Sequence, residues 1–219
     1  MKKMKAKNIL FLGNSISLHG PYNTWVPNAN WGMAASAEGK DYVHLLASAI
    51  TARTDRPLRL APTTGASRWY PGNPIPTDNT NILNMADLFE RNYATWDNAR
   101  FQTQIEAKPD IVILQFGENM SGGTMPQFKT ALQTLMAGLK ESSNPHIFVT
   151  GFILGANPTI DGIKKEVCAE DPSHRVFVDM SQLHDPKYLG QFGHPSDEGM
   201  NVIANNLFNA MEAHCKTTP

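Results

Sequence analysis

Cysteine, charge of one sign and long apolar runs are all scarce in this sequence of 219 residues. Its two cysteines, Cys168 and Cys215, are too few for a disulfide framework, and the simpler interpretation is two free thiols in a reducing compartment. Nineteen basic residues against twenty acidic ones leave a net charge of −1, which argues against a nucleic-acid partner. No stretch approaches the roughly 18 apolar residues of a membrane span, so none is predicted.

The N-terminus is basic, as in a signal peptide, with lysines at positions 2, 3, 5 and 7. The apolar run that follows, residues 9–12, is short for the core of a secretory signal. It also leads directly into the first motif described below, which cleavage there would destroy. The sequence as it stands therefore predicts a cytoplasmic protein, with export from a longer precursor left open.

The pattern of apolar residues predicts one α/β domain over residues 1–219. Hydrophobic residues make up 41% of the chain and charged residues 18%, as in globular proteins. Short apolar runs predict strands at 7–12, 57–61, 110–116, 146–151 and 175–178. Helical spacing predicts helices at 41–53, 81–91, 96–107, 126–141, 159–169 and 196–214. Two long connections, 18–40 and 63–79, are rich in aromatic residues, proline and glycine.

The alternation of strands and helices predicts a parallel sheet of about five strands with helices on both faces. Residues 110–116 (DIVILQF) are continuously apolar, which fits a strand covered on both sides. Ligands bind beyond the carboxyl ends of the strands in such a sheet. Chemically reactive residues at those ends are therefore the first candidates for a site.

Segments carrying a serine, an asparagine and a histidine follow three of the predicted strands. Ser15 follows the first strand, Asn119 follows the strand 110–116, and His194 lies between the last strand and the final helix. Taken singly, each is typical of a turn, a helix cap or a surface loop. Meeting at one edge, they suit acyl transfer: the serine attacks, the histidine removes its proton, and the amide donates to the oxyanion.

The four segments FLGNSIS, TTGAS, QFGEN and GHPSDEG resemble, in order, the four blocks of the SGNH (GDSL-like) hydrolase family. Asn14 stands where the family's first block commonly has aspartate. The resemblance implies a three-layer, flavodoxin-like fold and ester hydrolysis with no metal and no cofactor. It assigns Ser15 as nucleophile and His194 as general base, with an oxyanion hole made by the Ser15 N–H, the Gly65 N–H and the Asn119 side chain.

One position departs from the family, which usually has aspartate three residues before the catalytic histidine; this chain has Gln191 there. The carbonyl oxygen of Gln191 can hold the tautomer of His194, but a neutral group stabilises an imidazolium much less than a carboxylate does. A Ser–His dyad is one outcome, and an acid from elsewhere, Asp179 or Asp185, is another. Asp197 is expected in the first turn of the final helix instead. Loss of hydrolytic power is the third alternative.

Aromatic side chains in the two long connections are candidates for substrate binding: Trp25, Trp31, Trp69 and Tyr70. Their faces suit sugar rings, although packing of the loops themselves explains them equally well. His19 and His44 have no further ligands at matching spacing, so no metal is expected.

These residues predict a serine esterase whose substrate is a small-molecule or carbohydrate ester, with a carbohydrate O-acetyl esterase as the leading hypothesis. A lipase-like or thioesterase-like hydrolase is the alternative among enzymes. A non-catalytic sugar-binding protein on a degenerate hydrolase scaffold is the alternative from another class, with Gln191 as the mark of decay. The natural ester and the oligomeric state do not follow from the sequence.

Overall fold

A computed structural model describes residues 8–20, 31–53 and 82–217. These residues contain a five-stranded sheet and the helices packed around it. The strands are β1 (Ile9–Gly13), β2 (Ile82–Asn84), β3 (Ile111–Leu114), β4 (His146–Thr150) and β5 (Arg175–Val178). The α-helices are α1 (Tyr42–Thr51), α2 (Gln102–Glu106), α3 (Met125–Ser143), α4 (Pro158–Ala169) and α5 (Asp197–Thr217).

All strand pairs in the sheet are parallel, and their order is β2-β1-β3-β4-β5. In the register, Phe11 of β1 lies opposite Ile82 of β2 on one side and Ile113 of β3 on the other. β1 therefore lies between β2 on one side and β3, β4 and β5 on the other, which confirms the predicted flavodoxin-like topology.

Each face of the sheet is covered by its own hydrophobic core. Alternate strand residues such as Phe11 and Ile113 pack in one cluster with the buried sides of α1 and α5. The residues between them, such as Leu12 and Val112, pack in a second cluster with α3 and α4. Because both faces are covered, every residue of β1 and β3 is buried. This explains the continuous apolar runs in the sequence and confirms the three-layer prediction.

The helix predicted over residues 81–91 is wrong at its start. Ile82–Asn84 is the short edge strand β2, and a π-helical turn, Ala86–Glu90, follows it. The Asn84 side chain makes this change of direction, because its Oδ1 accepts from Ala86 N at 3.0 Å and its Nδ2 donates to the Leu18 carbonyl at 2.7 Å. So short an apolar run cannot be assigned from periodicity alone.

The remaining predicted elements can be compared directly with the structure. The helix predicted over 96–107 divides into a 3₁₀ turn, Asn98–Phe101, and α2. The predicted strand 57–61 lies outside the described residues, while the other strands and helices occur within a few residues of their predicted bounds. Asp41 caps α1 as predicted, accepting from His44 N at 2.8 Å. None of the helices in the described ranges is long and apolar enough to cross a membrane.

Candidate active site

Ser15 lies in a tight turn at the carboxyl end of β1. The backbone N–H groups of Ser17 and Leu18 both donate to the Asn14 carbonyl at 3.0 Å, and the Ser15 carbonyl accepts from Met33 N at 2.8 Å. A Cβ atom on Gly13 would lie 1.8 Å from Ser17 Oγ, so only glycine permits this turn. The turn holds Ser15 half-buried at the edge where the sheet topology places a ligand.

His194 contacts Ser15 from the other side of this edge. Ser15 Oγ lies 2.9 Å from His194 Nε2, although the two residues are 179 positions apart in the chain. The backbone around the histidine is also fixed: the His194 carbonyl accepts from Gly190 N at 2.6 Å, and His194 N donates to the Gln191 carbonyl at 3.1 Å. The structure thus brings together the predicted nucleophile and the predicted base.

The far nitrogen of the imidazole meets a backbone carbonyl. His194 Nδ1 lies 3.1 Å from the carbonyl oxygen of Phe192. Phe192 has φ 55° and Gly193 φ 68°, so two successive left-handed residues fold the chain back toward the ring. A carbonyl only accepts hydrogen bonds, so Nδ1 carries the proton, and Nε2 is left to accept from the Ser15 hydroxyl.

The structure differs here from the prediction that the Gln191 side chain orients the histidine: the acceptor near Nδ1 is a backbone atom, and the Gln191 side chain is exposed. The acidic candidates also have other partners. Asp179 accepts from Ser181 Oγ at 2.6 Å, and Asp185 pairs with the Lys187 ammonium at 3.1 Å. Asp197 is the first residue of α5, as predicted for it.

Burial lowers the pKa of His194 below its ordinary value, and the hydrogen bond to the Phe192 carbonyl acts in the opposite direction. The nearby His19 lowers this pKa further. A lowered pKa keeps the imidazole neutral at pH 7, which is the state a general base needs.

The oxyanion donors predicted from the resemblance are only partly within the described residues. Within the described ranges, the Ser15 N–H has no hydrogen-bond acceptor. Asn119 is held by its neighbours: its Nδ2 donates to Glu90 Oε2 at 2.8 Å, and its Oδ1 accepts from Arg91 at 3.0 Å. Gly65 lies outside the residues that the structure describes.

Of the predicted substrate-binding aromatics, only Trp31 is described. It is half-buried, packs against the core cluster that contains α1 and α5, and donates from its indole N–H to the Ala35 carbonyl at 2.9 Å. These contacts favour the interpretation that Trp31 packs its own loop. Trp25, Trp69 and Tyr70 lie outside the described residues.

A buried polar network behind Ser15 was not predicted from the sequence. Glu90 is completely buried and accepts from Gly117 N at 2.6 Å and from Asn14 Nδ2 at 3.2 Å. Glu118 accepts from the same Asn14 nitrogen at 2.7 Å. Burial, and then the charge of Glu118, raise the pKa of Glu90, while the N–H donors around it lower it. Lys164, also completely buried, donates to the Phe116 and Thr150 carbonyls.

Nothing in the periodicity of the sequence sets Glu90 apart from a solvent-facing helical residue. The members of this network that stand in recognised segments are Asn14, in FLGNSIS, and Glu118, in QFGEN.

As for metal ligands, no three His, Cys, Asp or Glu residues in the described part of the chain are grouped to hold an ion. His44 instead contacts the Asp41 carboxylate at 2.8 Å.

No protein-family model matches the sequence, and no curated protein matches it at a significant level. Several solved structures match nearly the whole chain. A family two carbohydrate esterase from Clostridium thermocellum, in complex with cellohexaose, matches 99% of this chain with a TM-score of 0.58 and 19% identity. A family 3 carbohydrate esterase from Talaromyces cellulolyticus matches 97% of this chain and 100% of its own length, with a TM-score of 0.53 and 17% identity.

An acetyl xylan esterase, Est2A, from the rumen bacterium Butyrivibrio proteoclasticus is similar over 98% of this chain, with a TM-score of 0.51 and 13% identity. The chain spans 66% of the length of the Clostridium esterase and 65% of Est2A. At these identities the likeness is one of fold. The chain therefore has the fold of these carbohydrate esterases, in agreement with the three-layer architecture that the resemblance to SGNH hydrolases implied.

Proposed function

We propose that this protein is a serine ester hydrolase of the SGNH type, which forms an acyl-enzyme on Ser15 and uses His194 as general base. The contact of 2.9 Å between Ser15 Oγ and His194 Nε2 carries the proposal. It joins a hydroxyl to a neutral imidazole at the sheet edge where α/β proteins bind ligands, and a nucleophile needs such a base.

In the first half of the reaction, Ser15 Oγ attacks the ester carbonyl carbon while His194 Nε2 takes the hydroxyl proton. The carbonyl oxygen becomes an oxyanion, for which the Ser15 N–H is an available donor. Asn119 is the second donor, and the resemblance to the family supplies Gly65 as the third. When the intermediate collapses, the bond from carbon to the alkoxy oxygen breaks, and the leaving alcohol takes the proton from Nε2.

In the second half, water attacks the acyl carbon and gives a proton to His194 Nε2. The acid is then released, and the proton returns to Ser15 Oγ. Throughout the cycle the Phe192 carbonyl holds the ring in the working tautomer, from its position 3.1 Å from Nδ1. This carbonyl is neutral, so it stabilises the imidazolium less than a carboxylate would, and the site works as a Ser–His dyad.

For the substrate we propose an acetylated carbohydrate. The named relatives in fold are carbohydrate esterases, one of them an acetyl xylan esterase. A cleft of about 400 Å³ adjoins the turn that carries His194, and mostly small residues line it, at positions 34–36, 190–191 and 196–198. The fold relatives, rather than this cleft, favour an acetylated carbohydrate over a lipid or a thioester.

Hydrolysis of p-nitrophenyl acetate, butyrate and octanoate by the parent and by Ser15→Ala tests the proposal. The parent should turn over the acetate fastest, and the variant should lose nearly all activity while keeping the parental melting temperature. Acetate release from an acetylated xylo-oligosaccharide then tests the carbohydrate assignment. Full activity in Ser15→Ala would refute the nucleophile, and a rise in rate with acyl length would refute the acetyl preference.

A further inference from the structure

The side-chain amide of Asn119 is held at both ends by two consecutive residues. Its nitrogen donates to Glu90 Oε2 at 2.8 Å, and its oxygen accepts from the Arg91 guanidinium at 3.0 Å. These contacts fix the rotation of the amide, with the oxygen toward the half-exposed arginine and the nitrogen toward the buried carboxylate. An amide nitrogen carries two hydrogens, so one remains for an acceptor other than Glu90.

The second oxygen of Glu90 reaches the loop that carries the nucleophile. Glu90 Oε1 accepts from Asn14 Nδ2 at 3.2 Å and from Gly117 N at 2.6 Å. Asn14 directly precedes Ser15, and its own Oδ1 accepts from Ile16 N at 3.1 Å, which closes the Ser15 turn. A single carboxylate therefore ties the loop after β1 to the loop after β3.

The position of Glu90 is set by the π-helical turn Ala86–Glu90, where the Glu90 N–H bonds to the Met85 carbonyl at 3.1 Å. Turns of this kind are rare and occur often at functional sites. The hydrogen bonds to the Glu90 side chain in the described residues all come from N–H groups, which favour the ionised carboxylate and oppose the rise in pKa caused by burial and by Glu118. Burying a charge is a costly way to stabilise a fold, because an apolar residue of similar size avoids the desolvation penalty.

We propose that Glu90 and Arg91 are positioning residues that form a clamp on Asn119, aligning its second amide hydrogen with the Ser15 N–H toward one oxyanion. The clamp acts on kcat through the position of the oxyanion donor and contacts neither substrate nor the reacting atoms. The inference rests on the proposed function, since it needs Ser15 and Asn119 to serve the same reaction.

Arg91→Met tests the clamp, because the Arg91 side chain is 40% exposed and its loss leaves the core intact. We expect kcat for p-nitrophenyl acetate to fall by about tenfold, the effect of one lost charge-assisted hydrogen bond, with KM within about twofold of parental. Lys129→Met is the matched control, since Lys129 is 37% exposed and its ion pair with Glu166 joins α3 to α4. The control should keep the parental kcat.

Glu90→Gln should cost more, about 10²-fold in kcat, because the new amide hydrogens would face the N–H donors and displace Asn119. A double-mutant cycle separates positioning from general damage. In an Asn119→Ala background, Arg91→Met should cause no further loss, because there is no amide left to position. If Glu90→Gln does not fold, the Arg91 cycle alone decides.

The outcomes separate the clamp from the function on which it rests. Turnover by the parent together with parental kcat in Arg91→Met would overturn the clamp and leave the esterase intact. Equal losses from Arg91→Met in the parent and in Asn119→Ala would overturn it as well. A parent without turnover of any ester would overturn the proposed function, and the clamp with it.

Discussion

The backbone carbonyl that orients His194 leads to a prediction about the three side chains that a sequence comparison would choose for that task. Gln191→Ala, Asp179→Asn and Asp185→Asn should each leave kcat/KM within about twofold of parental. In an intact triad, neutralising the carboxylate costs about 10⁴-fold, because the histidine then adopts the wrong tautomer. Here the tautomer is held by the Phe192 carbonyl, 3.1 Å from Nδ1, and these substitutions leave that carbonyl in place.

The structure also accounts for the small size of the expected effects. Asp179 accepts from Ser181, and Asp185 pairs with Lys187 on the surface. Exposed pairs of this kind contribute little, so the folded state should survive each change. The assay is kcat/KM for p-nitrophenyl acetate from pH 5 to 9, with the melting temperature measured alongside. A loss of 10³-fold or more in a folded variant would identify a carboxylate or amide orienter and refute the dyad.

Two further predictions concern pH. Because burial lowers the pKa of His194, the acidic limb of kcat/KM for the parent should lie below about pH 6.5, the ordinary histidine value; a limb above pH 7 would contradict this. At the opposite end of the sheet, burial lowers the folded-state pKa values of His146 and His214, whose rings meet at 3.0 Å between Nδ1 and Nε2. As the pH falls, the unfolded chain binds protons before the folded chain does, so the free energy of unfolding in urea should be constant above about pH 6.5 and should decrease as the pH falls toward the folded-state pKa values. His146→Gln should make that decrease less steep. An unchanged slope would refute the assignment.

The sheet could be predicted because most of its strands are short apolar runs that can be recognised in the sequence. Residues 111–114 of DIVILQF are all apolar, and Gly13 marks the end of the first apolar run. The parallel topology then places Ser15 and His194 at one edge, although they are far apart in sequence. β2 could not be predicted, because ILN is too short to distinguish from a helical run until it pairs with β1.

The details of the site depend on tertiary contacts that leave no pattern in the sequence. In the sequence, Glu90 cannot be distinguished from an exposed charged residue on a helix. In the structure it is buried and accepts hydrogen bonds from Asn14, Gly117 and Asn119, which lie on two other loops. The acceptor for His194 could not be identified from the sequence for a different reason. It is a backbone carbonyl oxygen, and every residue has one. The sequence shows only that Gln191 stands where a carboxylate is expected, and it cannot show that a backbone carbonyl takes over the contact with His194.

The Phe192 carbonyl that orients His194 belongs to the backbone, so a side-chain substitution cannot remove it. Alanine at Gln191 or Phe192 would leave the carbonyl oxygen in place, so neither substitution would reveal the group that orients His194. What controls this hydrogen bond is a torsion angle, the φ of 55° at Phe192, so the substitutions that matter are those that alter backbone preference. A β-branched residue there resists positive φ and would turn the carbonyl away from the ring, whereas glycine accepts it. The orientation of His194, the proposed base, therefore depends on the backbone conformation at Phe192 and not on the identity of a side chain.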